Sequence, residues 1–174
     1  MNFSLPHTIE ILERTPAVLD AWLGGLSEPW LDCDEGDRTF SPRDVLGHLL
    51  DGEELDWIPR THHILQLGTS RPLAAFDRFA FRERYAGEGS QQLLATLARL
   101  RARNLATLKS LDLGEEELSM QGRHPDLGLV TLRQHLACWA VHDLAHLRQV
   151  ARVMAKRYRF DVGPWTSYFR VFEE

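Results

Sequence analysis

Residues 131–158 read TLRQHLACWAVHDLAHLRQVARVMAKRY, and this stretch has the longest helical pattern in the chain. Its apolar residues recur at the three- and four-residue spacing of an amphipathic helix. His142 and His146 are four residues apart, so they lie about 40° apart around that helix and one turn apart along it. Asp143 falls about 100° from His142, away from the centre of the apolar stripe. The stretch therefore predicts a long helix with a histidine pair on its core-facing side.

Three other segments have the same periodicity, which predicts an all-α protein built as a four-helix bundle. The second helix begins at Ser41 and Pro42, a favourable N-cap followed by proline at the first helical position. Pro59 lies inside this helix and should kink or split it. No segment alternates with period two between turn residues, so a major sheet is not expected. The predicted helices lie near residues 8–23, 41–67, 90–112 and 131–158.

The connections between these helices are also informative. Residues 26–40 have the composition of a loop, and residues 114–130 form a crossover connection. Residues 69–89 are long for a bundle connection, and long loops are often functional. We expect the aromatic residues of this loop to shape a substrate pocket or its lid, and these are Phe76, Phe79, Phe81 and Tyr85. The tail is rich in aromatic residues from Trp165 onward, which predicts that it docks back on the bundle.

Composition excludes several classes of protein. The chain has 174 residues, of which 44% are hydrophobic and 26% charged, as expected for one globular domain spanning 1–174. Its formal net charge of -5 argues against a nucleic-acid partner. No stretch approaches the roughly 18 apolar residues of a membrane helix, and the N-terminus does not resemble a signal peptide. Two cysteines, Cys33 and Cys138, are typical of free thiols in the cytoplasm.

The histidine pair has two interpretations. Two buried imidazoles can be satisfied by hydrogen bonds alone, but a cation compensates both directly. A metal ion needs a third ligand, and bundle metal sites take ligands from facing helices. His48 lies on the inward face of the second helix, between Gly47 and Gly52, which leave space around its ring. We therefore predict one divalent metal ion bound by His48, His142 and His146.

Several neighbouring residues are candidates for a supporting role. Asp51 is the carboxylate nearest the His48 face and could orient a metal-bound water or an imidazole; a solvated surface position is the alternative. Glu53 and Glu54 point further away and are expected at the surface. His135 lies about 10 Å along the helix from His142, too far to share the ion. The predicted pocket residues on the last helix are His135, Cys138, Trp139 and Gln149.

Three elements in this order resemble a known family. They are DVLGHLLD at residues 44–51, WAVHDLAHLRQ at 139–149 and VGPW at 162–165. Together they are similar to the DinB-like superfamily, including the branch of YfiT-like metal-dependent hydrolases. The resemblance implies a four-helix bundle with a long crossover connection, frequent homodimers, and zinc or nickel with open coordination positions. Some relatives are thiol S-transferases using bacillithiol, mycothiol or glutathione, and others are maleylpyruvate isomerases.

The leading functional hypothesis is a metal-dependent hydrolase or thiol S-transferase that acts on a small molecule, which could itself be a low-molecular-weight thiol. One alternative is an HD-type phosphohydrolase, in which His142 and Asp143 would form the doublet. Another is a non-catalytic metal-binding or stress-response protein, although structural zinc normally has four protein ligands. Leu144 and Leu147 lie opposite the ligand face, which favours a homodimer.

Overall fold

The computed structural model of the chain describes residues 2–172. Its α-helices are α1 (Leu5–Leu23), α2 (Glu28–Leu31), α3 (Pro42–Asp51), α4 (Trp57–Leu67), α5 (Phe81–Arg84), α6 (Ser90–Ser110), α7 (Glu115–Ser119) and α8 (Leu132–Lys156). A π-helical turn, Gly52–Asp56, joins α3 to α4, and strands β1 (Gln121–His124) and β2 (Gly128–Thr131) form an antiparallel pair. Two 3₁₀ turns follow α8, Gly163–Tyr168 and Arg170–Phe172.

Four long segments form a four-helix bundle: α1, α3 continued by α4, α6 and α8. Both α1 and α3 pack against α6 and α8, so the first two long segments lie at opposite corners of the bundle. The predicted all-α bundle is confirmed. The first helix begins three residues earlier than predicted, because Ser4 caps it and its hydroxyl accepts from the His7 amide. The last begins after Thr131, whose hydroxyl accepts from the Gln134 amide in a capping box.

The break in the second segment comes earlier than Pro59. Proline cannot donate a backbone hydrogen bond, and its ring crowds the carbonyl of the residue four positions before it. The π-helical turn Gly52–Asp56 lies at this place and absorbs the misfit by adding a residue to one turn. As a result, Glu53 faces inward at 1% exposure and Leu55 faces solvent at 47%. The expected surface position of Glu53, derived from a regular helix, was therefore wrong.

The connections contain more structure than predicted. Residues 114–130 contain α7 and most of a β-hairpin, whose strands pair from Gln121 with Thr131 to His124 with Gly128. The hairpin covers α4, where Gly122 is held so close to Ile64 that an added Cβ would lie 2.8 Å from its side chain. The tail contacts α8 through its last 3₁₀ turn, but Trp165 remains 63% exposed. Among residues 2–172, no helix is both long and apolar enough to span a membrane.

Two apolar clusters make up the core. One surrounds α3, the first half of α6 and the end of α1, and it includes Phe40 and Phe81. The other joins α4, the second half of α6 and the first half of α8, and it includes Trp57 and Trp139. Both clusters supply aromatic rings to the same place, because Phe81 and Trp57 each lie against an imidazole of the predicted ligand set. The candidate site therefore lies where the two halves of the core meet.

Candidate metal centre

The structure brings His48, His142 and His146 together. Possible ligand atoms of these three residues all lie within 4.8 Å of one another. The Nε2 atom of His142 is 3.0 Å from that of His48 and 3.1 Å from that of His146. Two imidazoles come from adjacent turns of α8 and the third from the last turn of α3. One ligand atom from each ring therefore faces a common point.

The hydrogen bonding of these rings fits a cation better than it fits three free imidazoles. The Nδ1 atom of His146 lies 2.8 Å from Oε1 of Gln149, so Nδ1 carries the proton and Nε2 presents its lone pair. If Nε2 of His142 carried a proton, it could donate to Nε2 of His48 or to Nε2 of His146, but not to both. Metal–nitrogen bonds of about 2.0–2.1 Å in a tetrahedral site place the nitrogens roughly 3.3 Å apart. The observed separations are close to that value.

Burial keeps these imidazoles neutral. Burial and, to a smaller extent, the nearby His146 ring together lower the pKa of His48 to about 3 and the pKa of His142 to about 2. Burial also lowers the pKa of His146, although its hydrogen bond with Gln149 opposes this. A neutral imidazole is the form that binds a metal. The three side chains are therefore in the required state at neutral pH.

Aromatic rings surround the imidazoles. Phe76 and Phe81 meet the His48 ring edge-on at centroid distances of 5.7 and 6.1 Å. Trp57 packs against His142 at 5.2 Å. Glycine makes this approach possible, since a Cβ on Gly47 would lie 2.7 Å from the Phe81 ring and one on Gly52 would lie 2.9 Å from the Trp57 indole nitrogen. Both glycines thus make room for aromatic side chains beside the histidines rather than for the imidazole itself.

A cavity of about 580 Å³ opens beside the three histidines. His48 and His142 line one part of it, and the π-helical turn, α4, the loop after α4, the β-hairpin and α8 supply the other walls. Much of the lining is apolar, including Trp57, Leu73, and Phe76. Arg60 is a polar residue of the lining; it donates to the Ala74 carbonyl at 2.7 Å and pairs with Asp56 at 2.9 Å. The other polar side chains of the lining include Asp126, Gln134 and His124. A volume of this size suits a small organic molecule.

The predicted pocket residues divide into two groups. His135 and Cys138 line the cavity. Nε2 of His135 donates to the Trp57 carbonyl at 3.0 Å, and Cys138 is an exposed free thiol. Trp139 is fully buried and does not line the cavity; it stacks on Trp57 at 5.5 Å. Gln149 lies outside this lining and contacts His146.

Asp51 and three of the four loop aromatics do not take the positions that the sequence suggested, whereas Phe76 does. Asp51 is fully buried, and its carboxylate pairs with Arg84 of α5 rather than with a histidine. Burial raises its pKa, while the Arg84 guanidinium opposes that shift. In the loop, Phe76 lines the cavity, whereas Phe81 is a core residue and Tyr85 donates to Glu54 at 3.2 Å. Only Phe76 among the four loop aromatics lines this cavity.

Sequence reasoning missed a buried ionic network behind the site. Arg101, Glu53 and Asp143 are each at most 1% exposed, and the guanidinium bonds to both carboxylates. The expected position of Asp143 away from the core was therefore wrong. A signal for Arg101 was present, because Arg101 and Asn104 occupy the helical apolar stripe that also contains Leu97 and Leu108.

These features define a helical-bundle protein with a three-histidine cluster suited to one divalent cation. The chain belongs to the DinB superfamily, whose family model matches residues 11–150. The fold is similar to that of YfiT from Bacillus subtilis, with a TM-score of 0.75 and 24% sequence identity over 88% of this chain and 87% of that chain. YfiT is described as "a probable metal-dependent hydrolase with an unusual four-helix bundle topology". No curated protein matches the chain.

Proposed function

We propose that this protein is a metal-dependent hydrolase that acts on a small molecule, with one divalent ion held by His48, His142 and His146. The observation that carries the proposal is the convergence of three neutral imidazoles, two of which line a cavity. The description of YfiT as a probable metal-dependent hydrolase supports the same reaction class. The domain proposed to perform this function spans 1–174.

Zinc or nickel is the proposed ion, because imidazole ligands suit both metals. Catalytic zinc sites have three protein ligands and an open position, whereas structural sites are closed by four. The cluster found among the described residues has three members. When bound, such an ion acts as a Lewis acid and lowers the pKa of a water or thiol beside it. The donor set therefore favours catalysis over a purely structural role.

The protein groups around the ligands have separate roles in this proposal. Gln149 holds the His146 ring so that Nε2 faces the ion site. Trp57, Leu73 and Phe76 provide apolar walls that exclude water and accept the apolar part of a substrate. The volume of the cavity limits the substrate to a small molecule.

Thiol S-transfer is the second candidate, and it uses the same metal chemistry. A thiol coordinated by a metal loses its proton, so the same three ligands could activate a low-molecular-weight thiol instead of water. The mainly apolar cavity suits the electrophilic partner of such a thiol. The HD-type alternative is disfavoured, because both carboxylate oxygens of Asp143 accept from Arg101 and face the core. A non-catalytic metal-binding protein remains the outcome if no turnover is found.

Two further properties belong to the proposal. We propose a homodimer, since Leu144 is 48% and Val141 63% exposed on α8; Leu147, which was expected on the same face, instead packs partly buried against the core. We also propose a cytoplasmic location, because both cysteines are free thiols. Sedimentation of the purified protein tests the first property, and a species of one chain mass at micromolar concentration would contradict it.

Elemental analysis followed by two activity assays tests the function. We expect close to one zinc or nickel ion per chain after purification. The loaded protein is then assayed for hydrolysis of small apolar esters and amides, and for conjugation of glutathione or bacillithiol to small electrophiles. Hydrolysis by the wild type that is lost in His142→Ala supports a hydrolase. Thiol conjugation that is lost in the same variant supports a thiol S-transferase. Stoichiometric metal without either activity would favour a binding protein.

A further inference from the structure

A single guanidinium joins all four corners of the bundle. Arg101 belongs to α6, and it donates to the Leu12 carbonyl of α1 at 2.8 Å. It donates through two nitrogens to Asp143 of α8, at 2.7 and 3.1 Å, and to Glu53 of the π-helical turn at 2.9 Å. The side-chain amide of Asn104 donates to the same glutamate twice, to its backbone carbonyl at 2.7 Å and to its carboxylate at 2.9 Å. The network therefore fixes the relative position of every long segment.

The composition of this network is unusual for a purely structural element. Two carboxylates face one guanidinium, and all three side chains are at most 1% exposed. Buried ion pairs are often no more stable than apolar residues of the same volume, since desolvation offsets the attraction. Burial also raises the pKa of Glu53, although the Arg101 guanidinium opposes that shift, so the charged form of this carboxyl is disfavoured here. Such a network calls for a role other than stability.

The attachment points of the network lie next to the candidate ligands. Asp143 directly follows His142 in α8, and Glu53 lies in the π-helical turn that continues the helix of His48. Trp139, one turn before the histidine pair, donates its indole hydrogen to Glu53 at 3.2 Å. A shift of either segment would therefore move an imidazole relative to the other two. Metal sites require ligand placement within about 0.5 Å.

We propose that Arg101 is a positioning residue that holds the π-helical turn against α8, so that the Nε2 atoms of His48, His142 and His146 converge on one ion. This inference rests on the proposed metal site and deepens it. Arginine suits the role because its planar guanidinium has donors in fixed directions, whereas a lysine ammonium is a flexible point charge. Retaining the positive charge alone should therefore not preserve the geometry.

Two variants and one control test the inference. Arg101→Lys keeps the positive charge but removes the planar set of guanidinium donors. Asp143→Asn keeps the shape of the side chain but removes one acceptor. Leu108→Ala is the control, because Leu108 is a 1% exposed residue of the same helix, two turns after Arg101, and its truncation creates a cavity without removing a charge. Zinc and nickel affinities are measured by chelator competition at a temperature where circular dichroism shows each variant to be folded. If Arg101→Lys does not fold, Asp143→Asn carries the test.

We expect both variants to bind the metal about 10- to 100-fold more weakly than the wild type, as for other residues that orient metal ligands. The control should remain within about threefold, although it also loses stability. A folded variant with wild-type affinity would overturn the inference. If the wild type itself binds no metal, the proposed function fails. The positioning role of Arg101 is then tested by long-range ¹H–¹⁵N spectra, which report the environment of the three imidazoles. Changes in the variants but not in Leu108→Ala would then support it, and unchanged spectra would overturn it.

Discussion

The Oε1 atom of Gln149 lies 2.8 Å from Nδ1 of His146, one turn earlier in α8. This contact requires the proton of the imidazole to be on Nδ1, which leaves the Nε2 lone pair directed at His142 and His48. Metal-bound histidines in proteins usually donate their other nitrogen to such an acceptor. The helical spacing of residues 146 and 149 is thus sufficient to fix both the tautomer and the orientation of one ligand.

Replacing Gln149 should weaken metal binding without unfolding the bundle. Gln149→Leu removes the acceptor, and we expect the metal affinity to fall about 10-fold or more. Gln149→Glu supplies a charged acceptor and should bind at least as tightly as the wild type. Chelator competition measures both affinities. Equal affinities in all three proteins would show that the contact does not orient the ligand.

Much of the site could be predicted from the sequence, because regular helices have a fixed angular relation between residues. His142 and His146 lie on one face for that reason, and the structure places them together with His48. The inward turn of Glu53 could not be predicted, since the π-helical turn adds a residue and rotates the side chains within it. The partners of Arg101 lie 42 to 89 positions away along the chain, so local periodicity carries no information about them.

Gly47→Ala should destabilise the protein through Phe81. The new Cβ would lie 2.7 Å from the Phe81 ring, a distance that forces the buried ring to move. Overpacking of this kind costs about 1–3 kcal/mol, and the higher helix propensity of alanine offsets roughly 1 kcal/mol of that. Urea denaturation measures the free energy of unfolding. The double variant Gly47→Ala/Phe81→Leu should lose less stability than the sum of the single variants, and strict additivity would contradict the proposed clash.

His135 should make the stability of the metal-free protein depend on pH. Burial lowers its pKa in the folded state, so below about pH 6.5 the unfolded chain binds a proton that the folded chain does not. Stability is therefore full above pH 6.5 and decreases as the pH falls toward the lowered pKa. In His135→Gln, which keeps a donor for the Trp57 carbonyl, the slope should fall by up to about 1.4 kcal/mol per pH unit. The exposed His7→Gln is the control, and an unchanged slope in His135→Gln would contradict the assignment.

The metal ligands themselves give the most direct prediction. Replacing any one of His48, His142 or His146 by alanine should abolish stoichiometric metal binding, because the two remaining imidazoles anchor the ion weakly. The bundle should stay folded, since its two apolar clusters do not depend on the ion. His135→Ala is the matched control on the same helix, and its metal content should be nearly unchanged because its Nε2 bonds to the Trp57 carbonyl. Elemental analysis of the purified variants measures the metal content. If His48→Ala keeps full metal occupancy, or if only His135→Ala loses the metal, a different set of residues binds the ion.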